Sequence, residues 1–185
     1  MDYLHLIPDS VRELDLRDCG LDYRGMDTLC EFMAGNTHIQ LLNMKLNELE
    51  FSMDIVSDML RRNNTLQSLL LSPRCHFKEE CQEEGSELCL ALRDNNTLQS
   101  LSIDLNCGPY LLRDYWHEVF ARELPRNSSL RALRFSLKHD SFQEGFWDSV
   151  GMPRVDNRLW TKYLRENENL MILDAAPYND DPLTL

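Results

Sequence analysis

The segment Leu60-Arg61-Arg62-Asn63-Asn64-Thr65-Leu66-Gln67-Ser68-Leu69 returns thirty-two residues later as Leu92-Arg93-Asp94-Asn95-Asn96-Thr97-Leu98-Gln99-Ser100-Leu101, identical at nine of ten positions. A third copy ends at Leu133 after another thirty-two residues, and looser copies end at Leu42 and Leu173. Self-similarity at a fixed period predicts a chain of stacked supersecondary units, none of which buries its apolar face alone. It constrains architecture far more than function, because a repeated scaffold presents a surface without naming what sits on it.

Aligned on their apolar residues, the copies form the series Val11/Leu14/Leu16, Ile39/Leu42/Met44, Leu66/Leu69/Leu71, Leu98/Leu101/Ile103, Leu130/Leu133/Phe135 and Leu170/Leu173/Ala175. The last two members of each triplet alternate, so each predicts a short strand with one face in the core. Between triplets the period becomes helical. Met26, Leu29 and Met33 form one apolar stripe, and Met53, Val56 and Leu60 form a second. Leu112, Trp116, Val119 and Phe120 make another, as do Trp160, Tyr163 and Leu164. The helix around Leu88, Ala91 and Leu92 reads as the shortest and weakest. Asn63-Asn64, Asn95-Asn96 and Asn127 follow helices, where asparagine is expected to cap in the left-handed conformation.

A strand, a helix and a second strand of the same direction form a right-handed coil. The apolar-x-x-apolar-x-apolar core with its period of about thirty residues resembles the leucine-rich repeat family of the ribonuclease-inhibitor-like subtype. Residues 11–21 carry the resemblance best, with Cys19 at the subtype's Asn/Cys position and Asn47 and Asn106 in the same slot of later units. Arg74, Lys138 and Tyr178 depart from it. The resemblance implies an α/β solenoid, a horseshoe arc of about six repeats, with a parallel sheet on the concave side and helices on the convex side. It divides the chain into a lead-in over 1–10, a repeat domain over 11–176 and a tail over 177–185. It also implies recognition of proteins along the concave face.

Composition bounds the partner. Across 185 residues, 43% are hydrophobic and 27% charged, and the formal net charge is −12. That balance argues against nucleic acid or an anionic membrane and for a protein with a basic surface. No stretch predicts a membrane span and no secretory signal is visible, so the six cysteines read as reduced thiols of an intracellular, cytoplasmic protein. Delivery into a host cell is compatible with the same features. Terminal repeats normally carry polar caps; the short segments at both ends leave room for a homo-oligomer through an uncapped end. The three Asn-x-Ser/Thr patterns at Asn63, Asn95 and Asn127 read as by-products of the repeat.

No catalytic motif, phosphate loop or dinucleotide fingerprint occurs, and Cys75-His76 with Cys81 and Cys89 matches no standard zinc spacing. The sequence therefore predicts no catalytic, cofactor or metal site and a non-enzymatic interaction module. Its candidate partner residues are the outward strand positions Arg17, Asn43, Lys45, Leu70, Ser102, Asp104 and Arg134. Two insertions, an acidic loop over 72–85 and an aromatic one over 138–155, are expected on one edge, the second adding Phe142, Phe146 and Trp147 as anchors. The alternatives are an adaptor-type virulence effector that recruits a host protein, and an enzyme whose site lies on loop 138–155.

Overall fold

The computed structural model describes residues 3–47, 49–50, 53–75, 78–107, 119–120, 122–138 and 172–174. After a 3-10 turn over Leu4–Leu6 come β1 (Glu13–Asp15), α1 (Tyr23–Gly35), β2 (Leu41–Asn43), β3 (Leu49–Glu50) and α2 (Met53–Arg62). They are followed by β4 (Ser68–Leu71), β5 (Pro73–Cys75), α3 (Lys78–Asp94), β6 (Ser100–Cys107), β7 (Ala132–Lys138) and β8 (Ile172–Asp174). Residues 119–120 and 122–123 are helical and run into a 3-10 turn over Leu124–Arg126.

All pairings among the described strands are parallel, and the main path runs β1-β2-β4-β6-β7-β8. Leu14, Leu42, Leu69, Leu101, Leu133 and Leu173 stand opposite one another along that path. Because side chains alternate across a strand, one register places every equivalent leucine on the same face. Leu42, Leu69, Leu101 and Leu133 are buried, while Leu14, on the edge strand, is covered only in part. The opposing apolar layer comes from the helices. α1 supplies Met26, Leu29 and Met33; α2 supplies Met53, Val56, Met59 and Leu60; α3 supplies Leu88, Ala91 and Leu92. Asp22 caps α1, its carboxylate accepting from the Gly25 N–H at 2.8 Å, so the stripe starts at a fixed place.

The units are unequal. β1 and β2 have three residues each, whereas β6 has eight and β7 seven. Beyond the triplets a second rank of pairing joins β3 to β5 and β5 to the far end of β6. The helices span 13, 10 and 17 residues. The six-repeat solenoid horseshoe expected from the sequence is therefore corrected to a small α/β domain, a parallel sheet with three described α-helices on one side. The apolar triplet fixes the core positions of a strand but neither the length of the following helix nor what the chain does after the strand. Five buried methionines (Met26, Met33, Met44, Met53 and Met59) fill the space between unequal units, a task suited to an unbranched, adaptable side chain.

α3 also corrects the sequence reading. It is the longest described helix, not the shortest, and it takes up residues 78–85 of the expected acidic loop, while 73–75 of that loop form β5. Eight of those residues belong to a helix because nothing between Lys78 and Leu92 breaks one: the segment holds no proline and a single glycine.

The asparagines after the helices do not adopt the left-handed cap. Asn36 and Asn127 lie at φ −76° and −82°, and the positive φ values among described residues belong to Asp18, Gly20 and Leu46, in turns that follow strands. Each asparagine instead points inward. The Asn63 amide donates to the Met33 and Asn36 carbonyls at 2.5 and 3.2 Å, that of Asn95 to Leu60 and Asn63 at 2.8 and 3.2 Å, and that of Asn127 to Leu92 and Asn95 at 2.5 and 2.9 Å. The side-chain oxygens accept from their own strands: Asn63 from the Thr65 and Leu66 N–H groups, Asn95 from Thr97 and Leu98, Asn127 from Ser129 and Leu130. Asn36 makes the same acceptor pair with His38 and Ile39. The result is a buried ladder in which Asn63, Asn95 and Asn127 each bond their own unit to the one before it.

Asn47 does comparable work after β2. Its amide donates to the Leu16 and Met44 carbonyls at 2.8 and 3.0 Å, and its oxygen accepts from the Cys19 and Leu21 N–H groups, both at 3.1 Å.

Leu101 sits at the centre of the leucine row, with neighbours on both sides. Leu101→Ala is expected to lower unfolding free energy by about 2–5 kcal/mol through lost burial and a residual cavity. Urea denaturation followed by circular dichroism measures it; an unchanged midpoint would show that this row is not the core.

Candidate partner-binding face

With helices on one side, the opposite side of the sheet presents the alternate positions. The register assembles them in rows. One row runs Glu13, Leu41, Ser68, Ser100, Ala132 and Ile172; the next runs Asp15, Asn43, Leu70, Ser102, Arg134 and Asp174. Four of the sequence-predicted residues, Asn43, Leu70, Ser102 and Arg134, thus stand side by side. A third line holds Lys45, Ser72 and Asp104, each two residues beyond a member of that row.

The face is less open than expected for solvated strand positions. Arg134 and Arg17 are exposed and Leu70 is half-buried, but Asn43, Ser102 and Asp104 are buried. Their small or short side chains lie between larger neighbours, so adjacent strands shade them. The Lys45 ammonium reaches Asp104 at 3.1 Å, with the two side chains only 17% and 9% exposed. β4 lies between their strands, so Lys45 spans about 10 Å of sheet, two strand spacings, over the position of Ser72. Beneath and beside this bridge, the hydroxyls of Ser72 and Ser102 are buried without a hydrogen-bond partner. Arg17 belongs to the margin, pairing with Asp15 at 3.8 Å while its own N–H donates to the Asp15 carboxylate at 3.0 Å. Asn43 holds the turn below Lys45 by accepting from the Lys45 N–H at 3.2 Å. Phe142, Phe146 and Trp147 lie outside the described residues.

Sequence reasoning passed over two features. Leu46, beside Lys45, is 49% exposed with φ +60°, a conformation an L-residue adopts at a cost. On the helical side, Asp27, Cys30, Glu31, Asp54, Ile55, Asp58 and Met59 line a groove of about 200 Å³ between α1 and α2. Its signal was present as acidic pairs four residues apart, Asp27/Glu31 and Asp54/Asp58, each on one helix face. Arg62 closes one end, donating to Glu31 at 2.7 and 2.9 Å and to Asp58 at 3.1 Å. The Cys30 thiol at its base is pushed up to about 12, by burial first and then by Asp27 and Asp54, which makes it an unreactive core thiol. Burial likewise raises Cys89, whereas Cys19 is a free, exposed thiol.

No known protein-family profile matches the chain. Solved structures do resemble it. The C-terminal domain of tropomodulin from Caenorhabditis elegans matches with a TM-score of 0.62, covering 91% of this chain and 89% of that one at 11% identity. Leiomodin-1 actin-binding site 2 matches with a TM-score of 0.58, covering 84% and 80% at 17% identity. What is shared is the fold. The likeness corrects the ribonuclease-inhibitor-like leucine-rich repeat assignment made from the repeated apolar triplets and, best of all, residues 11–21: the neighbours are these α/β domains. A short strand-and-turn motif records which positions face the core, and that requirement is common to any parallel sheet covered by helices. No helix among the described residues is long and apolar enough to cross a membrane.

The Arg62 hydrogen bonds hold the Glu31 carboxyl below the ordinary carboxylate range. A lowered carboxyl favours the folded state above its unfolded value, and that contribution disappears as pH falls through the folded one. A side-chain NMR titration should therefore place the Glu31 midpoint below that of an unpaired glutamate, and Arg62→Gln should return it upward. A midpoint that ignores Arg62→Gln would show that the pair does not persist in solution.

Proposed function

We propose that this domain is a non-enzymatic protein-binding module that docks its partner on the face of the sheet opposite the helices. The observation that carries the reading is the row Asn43, Leu70, Ser102 and Arg134, flanked by the Lys45–Asp104 bridge: polar, apolar and charged groups held in register on rigid strands. Sites built on strands hold their geometry better than sites on loops, and a rigid face loses little entropy on binding. The net charge of −12 favours encounter with a partner whose surface is basic. Actin is the first candidate, because one structure with this fold is described as the actin-binding site 2 of leiomodin-1.

Binding to monomeric and filamentous actin, measured by biolayer interferometry and co-sedimentation, tests this directly. Saturable binding is expected, weakening by at least about tenfold in Leu70→Arg, which sets a bulky charge in the centre of the face while circular dichroism stays unchanged. Absence of saturable binding to either form would remove actin as the partner. Binding insensitive to Leu70→Arg would place the contact on another surface.

A further inference from the structure

β1 is an edge of the sheet: among the described strands it pairs with β2 alone. The register decides which of its backbone groups that pairing uses. The Arg12 carbonyl accepts from the Leu41 N–H at 3.0 Å, and the Leu16 N–H donates to the Asn43 carbonyl at 2.9 Å, so the even-numbered residues bond toward β2. The N–H and C=O groups of Glu13 and Asp15 therefore point away from the sheet, and no described residue bonds to them. The apolar layer is also incomplete at this end. Leu42, Leu69 and Leu101, and Met44, Leu71 and Ile103 two residues on, are at most 1% exposed, whereas Leu14 and Leu16 are covered only in part. Leu42, Leu69 and Leu101 have a paired strand on each side; Leu14 has one on one side only. Leu4 and Ile7 of the lead-in turn pack against the core, yet Tyr3 and Leu6 of the same turn stay 77% and 63% exposed. On the open face of β1, Glu13 and Asp15 are both exposed. Arg17 lies 3.8 Å from Asp15, while Arg12 turns back to the Asp9 and Val11 carbonyls, and Glu13 has no ion pair among the described residues.

We propose that β1 is a docking edge for an extended segment of a protein partner in which lysine or arginine alternates with apolar residues. The segment adds a strand to the sheet, its backbone bonding to the outward groups of Glu13 and Asp15. Alternation then sorts its side chains. Basic residues stand opposite Glu13 and Asp15 on the open face, where opposite charges across a strand pair are favourable. The residues between them continue the leucine row beside Leu14 and Leu16, and bury what the missing neighbour leaves uncovered. The same charges turn away a second copy of this strand. Whether two β1 strands meet in parallel or antiparallel about Leu14, acid stands opposite acid, and like charges directly opposite destabilise a pair. A short strand with exposed charges is also the usual protection of an edge against self-pairing, and the three residues of β1 confine the contact to a short segment. This surface is the edge of the sheet, separate from the face that carries Leu70, and it stands whether or not that face binds actin.

The test needs no identified partner. Acetylated, amidated peptides of sequence Lys-Val-Lys-Val-Lys, Glu-Val-Glu-Val-Glu and Lys-Lys-Lys-Val-Val are titrated into the labelled full chain, following the backbone amides of Glu13, Leu14 and Asp15 by NMR. The alternating lysine peptide should shift these signals saturably and slow hydrogen exchange at Glu13 and Asp15. The acidic peptide and the peptide with its lysines in one block should do neither. Glu13→Gln removes the charge and should weaken the response by about twofold to fivefold. Glu13→Pro removes an outward N–H that β2 does not use, a place where an edge strand tolerates proline, and should weaken it by about tenfold or more. Should Glu13→Pro lose its fold by circular dichroism, Glu13→Lys keeps the backbone, and should weaken the lysine peptide while strengthening the acidic one. An equal response to the acidic or the blocked peptide would overturn the proposal. So would the absence of saturable shifts at β1, or an affinity unchanged in a folded Glu13→Pro or in Glu13→Lys. Peptide binding at β1 without actin binding would sink the actin assignment alone, and actin binding with β1 silent toward the lysine peptide would sink the docking edge alone.

Discussion

The buried asparagine ladder sets the geometry on which the rest of the domain depends. Wherever a helix hands the chain to the next strand, backbone carbonyls at the helix end and backbone amides at the strand entry are removed from water together. Leaving such groups unpaired costs about 1–3 kcal/mol each. Asparagine is the one short side chain that offers two donors and an acceptor in one plane, so a single residue serves both sides of the junction. In Asn63, Asn95 and Asn127 the donors reach back to the previous unit and the acceptor reaches forward to the strand entry. Alanine there takes a hydrogen-bond partner from four backbone groups, some of which keep a second partner, and aspartate replaces the donors with a charge facing carbonyl oxygens. The same bonds keep the amide nitrogens of the three Asn-x-Ser/Thr patterns engaged and inaccessible in the folded chain.

From the ladder the face of the sheet opposite the helices follows. By fixing where each strand begins, it fixes the register, as the matching backbone bonds show: Gln67 donates to Gln40, Gln99 to Gln67 and Arg131 to Gln99, each at 2.8 Å. A common start places the leucines on the helix side and, by alternation, Asn43, Leu70, Ser102 and Arg134 on the other. A slip of one residue would send the leucines to solvent, so the hydrophobic core and the opposite face of the sheet are held by a single constraint. The helices then vary in length without disturbing the face, which accounts for α3 exceeding α2 by seven residues while β4 and β6 remain aligned.

How much of this was readable in the sequence differs from element to element. The leucine register was readable because nine identical positions leave only one alignment, and apolar alternation then sets the face. The stripes of α1 and α2 were readable because Met26/Leu29/Met33 and Met53/Val56/Leu60 are unbroken at helical spacing. α3 was misjudged because its first two turns carry glutamates and lysine without an apolar stripe, and a charged run looks like a loop when only hydrophobic periodicity is followed. The asparagines were assigned to the correct junction but the wrong conformation: local preference for the left-handed region yielded to a tertiary demand that no single repeat displays. The Lys45–Asp104 bridge joins residues fifty-nine positions apart across an intervening strand, and only the assembled register brings them together. The family assignment erred because a core-facing motif reports burial, whereas the fold also depends on helix lengths and on the second rank of strands.

The Asn95-Asn96 pair provides the most direct test of the ladder. The two residues are adjacent and chemically identical; one is buried with four side-chain hydrogen bonds to the backbone, the other exposed. Unfolding free energies of Asn95→Ala and Asn96→Ala, measured side by side in urea, separate a tertiary role from a local turn preference. The ladder predicts a loss of about 3 kcal/mol for Asn95→Ala and a change within about 0.5 kcal/mol for Asn96→Ala. Equal effects at the two positions, or a larger one at Asn96, would contradict it.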